Sequence, residues 1–305
     1  MKLSVIIPCY NEESTLKRIL DNVITESSIE KEIIVIDDFS TDNSRKILEN
    51  YDKKDKVKVI LNPNNRGKGY SIRQGLKLAS GDIVIIQDAD LEYSPDDYKK
   101  LIGPILNDNA DVVYGSRFIG GQETRVLYFW HTLGNKFLTL LSNMFTNLNL
   151  TDMECCYKVF KKDIIKNIKL KEDRFGFEPE ITAKISKKNL KIYEIGVKYF
   201  GRKYEDGKKI TWKDGFAAIF CIIYYNLFWE KIFFNCTKPL PKNTDKKISE
   251  GIKYLEFPTQ PSIKLKYKTN TKINRWKLIL NLLVKILKKP KMIIEYIAKL
   301  YKSLK

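Results

Sequence analysis

The sequence predicts an α/β fold with a mostly parallel central sheet, helices on both faces, and a basic helical extension at the C-terminus. Three observations predict it. Short Val/Ile-rich runs alternate with helical patterns through the first 120 residues. Those runs are almost continuously apolar, as in strands buried on both faces of a parallel sheet. Charge is segregated as well: of a net +18, residues 261–305 hold +12, from 13 Lys and Arg against one acid, Glu295, which leaves +6 for residues 1–260.

Taken in order, LSVIIP (3–8) predicts the first strand. NEESTLKRILDNVI (11–24) predicts a helix capped by Asn11, with Leu16, Ile19, Leu20 and Val23 on one face. EIIVID (32–37) is the second strand, and a short helix opens at Asp42 or Ser44 and runs to Asn50. KVKVIL (56–61) is the third strand, followed by a helix over 69–80. DIVIIQD (82–88) is the fourth strand, Pro95–Ile105 a helix, and DVVYGSR (111–117) the fifth strand. After Gly121 the pattern loosens into helices over 130–147, 163–168 and 178–188, a strand over 190–200 and a charged loop over 201–215. Residues 216–229 are 14 uncharged positions, short of the roughly 20 that span a bilayer.

This organisation predicts one α/β domain over 1–235, in two halves (1–120 and 121–235), a polar linker over 236–275 and a basic amphipathic tail over 276–305. In the tail, Trp276, Leu280, Leu283, Val284 and Leu287 form one apolar stripe among lysines. The apolar run Leu3–Ile7 is too short for a secretory leader. The five cysteines show neither CxxC spacing nor His pairing, which argues against a zinc site or a disulfide framework and for a reducing cytoplasm.

Ligands bind open parallel sheets beyond the carboxyl ends of their strands. Every polar cluster of the first half sits there: Tyr10–Glu12, Asp37–Asp38, Asn64–Gly69, Asp88–Glu92 and Ser116–Arg117. Within GDIVIIQDADLEYSPDDY (81–98), Asp88, Asp90 and Glu92 are spaced i, i+2, i+4 and face one way if the strand continues. Bare carboxylates so placed repel one another, and a hard divalent cation, Mg²⁺ or Mn²⁺, relieves the repulsion and brings phosphate oxygens with it. A turn rich in helix-capping acids is the plainer alternative, as Ser94-Pro95-Asp96-Asp97 illustrates.

Taken together, Pro8-Cys9-Tyr10-Asn11-Glu12, Asp37-Asp38-Phe39-Ser40-Thr41-Asp42, Arg66-Gly67-Lys68-Gly69, Asp88-Ala89-Asp90-Leu91 and Gly115-Ser116-Arg117-Phe118 resemble the family 2 glycosyltransferases. The likeness is greatest to their dolichyl-phosphate mannose synthase-like branch. It continues more weakly through Thr151–Phe160, Phe175–Glu180 and Gly207–Gly215. The resemblance implies a GT-A fold and a nucleotide-diphosphate sugar donor, with residues 1–120 as the nucleotide and metal half and 121–235 as the acceptor half. It implies that Pro8, Tyr10 and Glu12 line the nucleoside pocket and that Asp37 or Asp38 accepts a hydrogen bond from the base. Asp88 and Asp90 would meet ribose and metal, with Asp90 the ligand proper. Glu92 stands where the branch often has Gln, and its carboxylate would add to the metal site.

Lys68 and Arg73 flank a loop–helix start suited to an anion, and Arg117 ends a strand beside the acids, placed to meet a phosphate. Arg202, Lys203, Lys208 and Lys209 form either a solvated loop or a clamp for an anionic acceptor. Glu178 and Glu180 are either helix-start acids or contacts to sugar or acceptor, with Glu180 the candidate base. Asp152 serves an acceptor site or a turn. His131, the only histidine, reads as structural.

The implied chemistry is inverting transfer of a hexose, with the metal and Arg117 stabilising charge on the leaving diphosphate. A polyprenyl-phosphate or related lipid-linked acceptor is already anionic and needs no base; a hydroxyl of a glycan or glycolipid does. The tail predicts contact with an anionic membrane surface, and hence a peripheral location at the cytoplasmic face of a membrane. A nucleic-acid arm would be more uniformly polar, so no nucleic-acid partner is expected.

Overall fold

The apolar runs become strands whose two faces are both covered. Val5 to Ile7, Ile33 to Ile36 and Ile83 to Ile86 are all buried, and form the centre of the core. The structure, a computed structural model, describes residues 1–52, 56–126, 128–202, 209 and 212–229. The first half alternates β1 (Leu3–Cys9), α1 (Leu16–Thr25), β2 (Lys31–Asp37), α2 (Ser44–Glu49), β3 (Val57–Leu61), α3 (Lys68–Leu78), β4 (Ile83–Ile86), α4 (Tyr98–Leu106) and β5 (Val112–Ser116). The second half adds α5 (Phe129–Thr146), β6 (Lys158–Lys161), α6 (Lys162–Lys166), α7 (Phe177–Ser186), β7 (Ile192–Gly196) and α8 (Trp212–Leu227).

The strands form one seven-stranded sheet in the order β3-β2-β1-β4-β6-β5-β7. All neighbours are parallel except β6, which runs antiparallel to both β4 and β5. The start of β6 therefore lies at the carboxyl ends of its two neighbours, with Lys158 opposite Tyr114 and Val159 opposite Ile85. This brings a segment of the second half to the edge where the first half gathers its polar clusters.

Four expectations change. The first helix begins at Leu16 rather than residue 11, and Asn11 does not cap it. Asn11 adopts a left-handed φ of 48°, and its Oδ1 accepts from the Thr41 amide at 2.8 Å; local bonding of this kind competes with helix. β4 ends at Ile86, so Asp88, Asp90 and Glu92 lie on a loop rather than an extended strand. The short β6 was not expected, because its four residues carry two lysines and show no strand period. The strand expected over 190–200 is confined to Ile192–Gly196, with an isolated bridge from Tyr199 to Thr124 beyond it.

The described residues belong to one compact unit, Met1–Pro239. The linker expected over 236–275 and the tail over 276–305 lie outside the described residues. No helix among the described residues is long and apolar enough to cross a membrane. Cys9, Cys155, Cys156 and Cys221 are free and buried.

Candidate active site

Loops leaving the carboxyl ends of β1, β2 and β4 build the first wall. Asp37, fully buried at the end of β2, accepts from the Ser40 amide at 3.2 Å and from Arg45 Nε at 2.7 Å. Asp38 accepts from the amides of Arg66 at 3.1 Å and Gly67 at 2.6 Å, and from Asn62 Nδ2 at 2.8 Å. In this structure both organise loops of the pocket rim. Pro8 closes β1 opposite Ile36, Tyr10 is exposed, and Glu12 is 7% exposed.

Glu12, Asp88 and Asp90 form a largely buried group of carboxylates, and three cations lie against them. Lys68 Nζ lies 2.8 Å from Asp88 Oδ1 and 3.5 Å from Glu178 Oε1. Arg202 spans the other two: Nη1 to Glu12 Oε2 at 2.9 Å and Nη2 to Asp90 Oδ2 at 2.8 Å. Its Nε is buried without a hydrogen-bond partner. Lys209 adds a contact to Glu12 Oε1 at 2.6 Å. Lys208 and Lys203 lie outside the described residues.

The electrostatics follow from burial. Asp90 is pushed up to about 8, by burial first and then by the charges of Asp88 and Glu92, which Arg202 only partly offsets. Burial would also raise Asp88, but Lys68 outweighs it and holds Asp88 below the usual carboxylate range. Lys68 in turn is held above its ordinary value: its burial is outweighed by Asp88. At Asp90, burial and the charges of Asp88 and Glu92 outweigh what Arg202 offsets, and an all-oxygen donor set suits a hard divalent cation.

The residues present therefore fit such a metal, but not as a triad. Among the described residues no group of three ligating side chains comes together. Glu92 in particular does not join: its Oε2 accepts from Tyr199 Oη at 2.9 Å and its Oε1 from the Arg202 amide at 2.7 Å. Because β4 stops early, the i, i+4 alternation that pointed Glu92 at the metal does not exist. Glu92 instead holds the 199–202 segment in place, and so aims Arg202.

The second wall comes from the 150–157 loop and α7. Arg117 does not stand free: Asp152 engages its Nε at 2.6 Å, its Nη2 at 2.7 Å and its backbone amide at 3.0 Å. Glu180 is a second correction. It is fully buried, and its oxygens accept from the amides of Lys171 at 2.7 Å and Glu172 at 2.8 Å and from Lys184 at 2.5 Å. It braces the 170–172 turn and offers no oxygen to an acceptor proton. Arg73 likewise points to the carbonyl of Glu172 and the carboxylate of Asp173. His131 stands near Tyr128 at the start of α5.

Two residues given no role from the sequence, Lys158 and Glu154, complete the wall. Lys158 is fully buried in β6 and pairs with Glu178. Its Nζ also donates to the Cys155 carbonyl at 2.5 Å. A lysine inside the apolar run YKVF was the available signal, since a buried ammonium demands a carboxylate. Glu154 has a buried Oε1 with no hydrogen-bond partner. Burial, then the charge of Glu178, pushes its carboxyl up to about 7. Asp152, whose role the sequence left open, is the charge partner of Arg117 here.

The chain resembles known proteins in sequence and in fold. The profile described as "Glycosyl transferase family 2" matches residues 4–169. A UDP-N-acetylglucosamine–dolichyl-phosphate N-acetylglucosaminyltransferase of Methanococcus voltae is 29% identical over 237 residues, covering 72% of this chain and 94% of that protein. A dolichol-phosphate mannosyltransferase of Pyrococcus furiosus is 29% identical over 219 residues, 69% of this chain and 61% of that one. Among solved structures, glucosyl-3-phosphoglycerate synthase of Mycobacterium tuberculosis, bound to Mn²⁺, UDP and phosphoglyceric acid, superposes with a TM-score of 0.58. At 17% identity, covering 78% of this chain and 80% of that one, this likeness is one of fold.

Proposed function

Starting from the premise that this chain belongs to glycosyl transferase family 2, in its dolichyl-phosphate mannose synthase-like branch, and is a glycosyltransferase, we propose that it moves a hexose from a nucleotide-diphosphate sugar to a polyprenyl-phosphate or related lipid-linked acceptor. We propose that the transfer inverts the anomeric centre, depends on Mg²⁺ or Mn²⁺, and takes place at the cytoplasmic face of a membrane. The observation that carries the reading is the largely buried Glu12–Asp88–Asp90 group past the ends of β1 and β4, with Lys68, Arg202 and Lys209 against it.

In this reading Asp90, with Asp88 beside it, holds the cation. The cation offsets the charge that develops on the departing diphosphate. Pro8, Tyr10 and Glu12 line the nucleoside pocket, while Asp37 and Asp38 keep its loops in register. Lys68 keeps Asp88 ionised and oriented. Arg202 and Lys209 supply donors suited to phosphate oxygens where the two halves meet, and Arg117, aligned by Asp152, adds a buried positive charge on the acceptor side.

The state of Glu180 bears on the acceptor. A hydroxyl acceptor needs a base, and the residue best placed for that by sequence has its oxygens occupied. An acceptor phosphate needs none, which favours the lipid phosphate. The names of the two relatives point the same way. For the membrane itself the reading relies on the basic tail over 276–305 and on the exposed apolar face of α5.

The test is turnover of a panel of nucleotide sugars with a short-chain polyprenyl phosphate, with and without Mn²⁺. We expect metal-dependent transfer in the wild type. Asp90→Ala should lose at least about 100-fold in rate, the scale of removing one preorganised charge contact, while its unfolding transition stays intact. Full activity in excess chelator, or in Asp90→Ala, would overturn the metal assignment.

A further inference from the structure

We propose that Glu154, backed by Glu178, receives hydroxyl groups of the transferred sugar and so sets which sugar the enzyme accepts. The proposal rests on the donor reading given above and assigns the part of the site that the reading leaves open.

Placement comes first. A nucleotide held past β1, β2 and β4 directs its sugar away from the nucleoside, across β4 toward the start of β6. Glu154 lies on the loop that leads into that start. Two residues on, the Cys156 thiol donates to the Ile86 carbonyl at 3.8 Å, and Cys156 is close enough to Asp88 to influence its charge. This corner is therefore packed directly against the donor carboxylates.

The second observation is unmet bonding capacity. Glu154 Oε1 and Glu178 Oε1 are both buried and neither accepts a hydrogen bond. The Glu178 side chain is 4% exposed. One of its oxygens pairs with Lys158, and the other has only Lys68, at 3.5 Å. Lys158 bridges Glu178 to the Cys155 carbonyl, which fixes Glu178 beside the Glu154 corner. Buried carboxylate oxygens seldom go unpaired, because the lost hydration is costly. What this corner lacks is donors, and a hexose brings several hydroxyl donors at short spacing. A site built to receive a hydroxyl discriminates strongly against a sugar without it.

The test uses the full chain with Mn²⁺. UDP and GDP are the probes without sugar; UDP-glucose, UDP-N-acetylglucosamine and GDP-mannose are the probes with it. Equilibrium binding is measured for wild type, Glu154→Gln and Glu154→Ala, each checked by thermal unfolding. Glu154→Gln keeps size and shape, so it reports even where the Ala variant is unstable. We expect the nucleoside diphosphate to bind all three proteins within about twofold. The intact donor should bind about threefold more weakly to Glu154→Gln and tenfold or more weakly to Glu154→Ala, the range of one hydrogen bond to a charged group.

A donor analogue lacking the contacted hydroxyl should bind wild type and Glu154→Ala alike. Unchanged donor binding in both variants overturns the inference and leaves the enzyme reading standing. Parallel weakening of nucleoside diphosphate and donor overturns it too, because it signals a structural role. Normal donor binding with lost turnover assigns Glu154 to proton transfer instead, and would favour a hydroxyl acceptor. A wild type that binds none of the probes removes the donor reading and this inference together.

Discussion

The Arg117 side chain is only 9% exposed, and one residue keeps it so at bearable cost. Asp152, fully buried, meets the guanidinium on two nitrogens. Taking away one partner of such a pair leaves an uncompensated interior charge, which costs about 3–5 kcal/mol. Asp152→Asn should therefore lower unfolding free energy by about that amount, read from denaturant melts. Replacing both residues with apolar ones of similar size should cost less than the sum of the single changes. Additive losses would show that the two charges are not coupled. The same reasoning separates the acids of this chain. Asp37, Asp38, Glu92 and Glu180 have their oxygens filled by protein donors, whereas Glu154 and Glu178 each keep an unfilled oxygen.

At the scale of elements, the entry to α3 joins the two halves. Gly67 has φ +102°, and an added Cβ would come within 2.6 Å of the Asp173 carbonyl. The Gly67 amide donates to Asp38 at 2.6 Å, and Tyr70 donates from its amide to the Asp173 carbonyl at 3.0 Å. One residue thus needs a left-handed backbone, no side chain, and a free N–H at once. Gly67→Ala should cost about 1–3 kcal/mol. It should also weaken nucleotide binding several-fold, because Asp38 loses its amide donors; thermal melts and nucleotide titration together check this. Unchanged nucleotide affinity in a destabilised variant would separate the loop from the donor pocket.

At the scale of the whole molecule, α5 turns an apolar face outward. Trp130 is 77% exposed, Phe137 53%, Leu140 59% and Met144 73%, and Leu133 completes a spacing of alternating three and four residues. α5 carries no acid, so nothing on it repels an anionic surface. The tail contributes basic residues, each adding about 1 kcal/mol near an anionic leaflet and screened by salt. Full-length protein should sediment with anionic vesicles at low salt and less at high salt. A chain truncated after Lys247 should bind more weakly and lose most of its salt dependence. Phe137→Glu with Leu140→Glu should weaken what remains. Equal sedimentation of all forms, or of none, would remove the membrane contact from the proposed function.

The sequence by itself determined the alternation of strands and helices, the carboxyl-edge clusters and the kinship with a transferase family. Those features depend on residues close together in the chain: Val/Ile runs such as Ile33 to Ile36, and motifs such as Asp88-Ala89-Asp90. Only the tertiary structure decided how each charged group is used, because the partners are far apart in sequence. Arg202 reaches back to Glu12 and Asp90, Lys68 to Asp88 and Glu178, and Arg73 to Asp173. Glu92 and Glu180 look like functional acids until the donors that fill them are seen. Glu154 looks like a turn residue until burial is seen to leave its oxygen without a partner. The short β6 explains most of this. Running against its neighbours, it carries a stretch of the second half to the edge of the first, a placement that comes from sheet pairing and not from any local pattern.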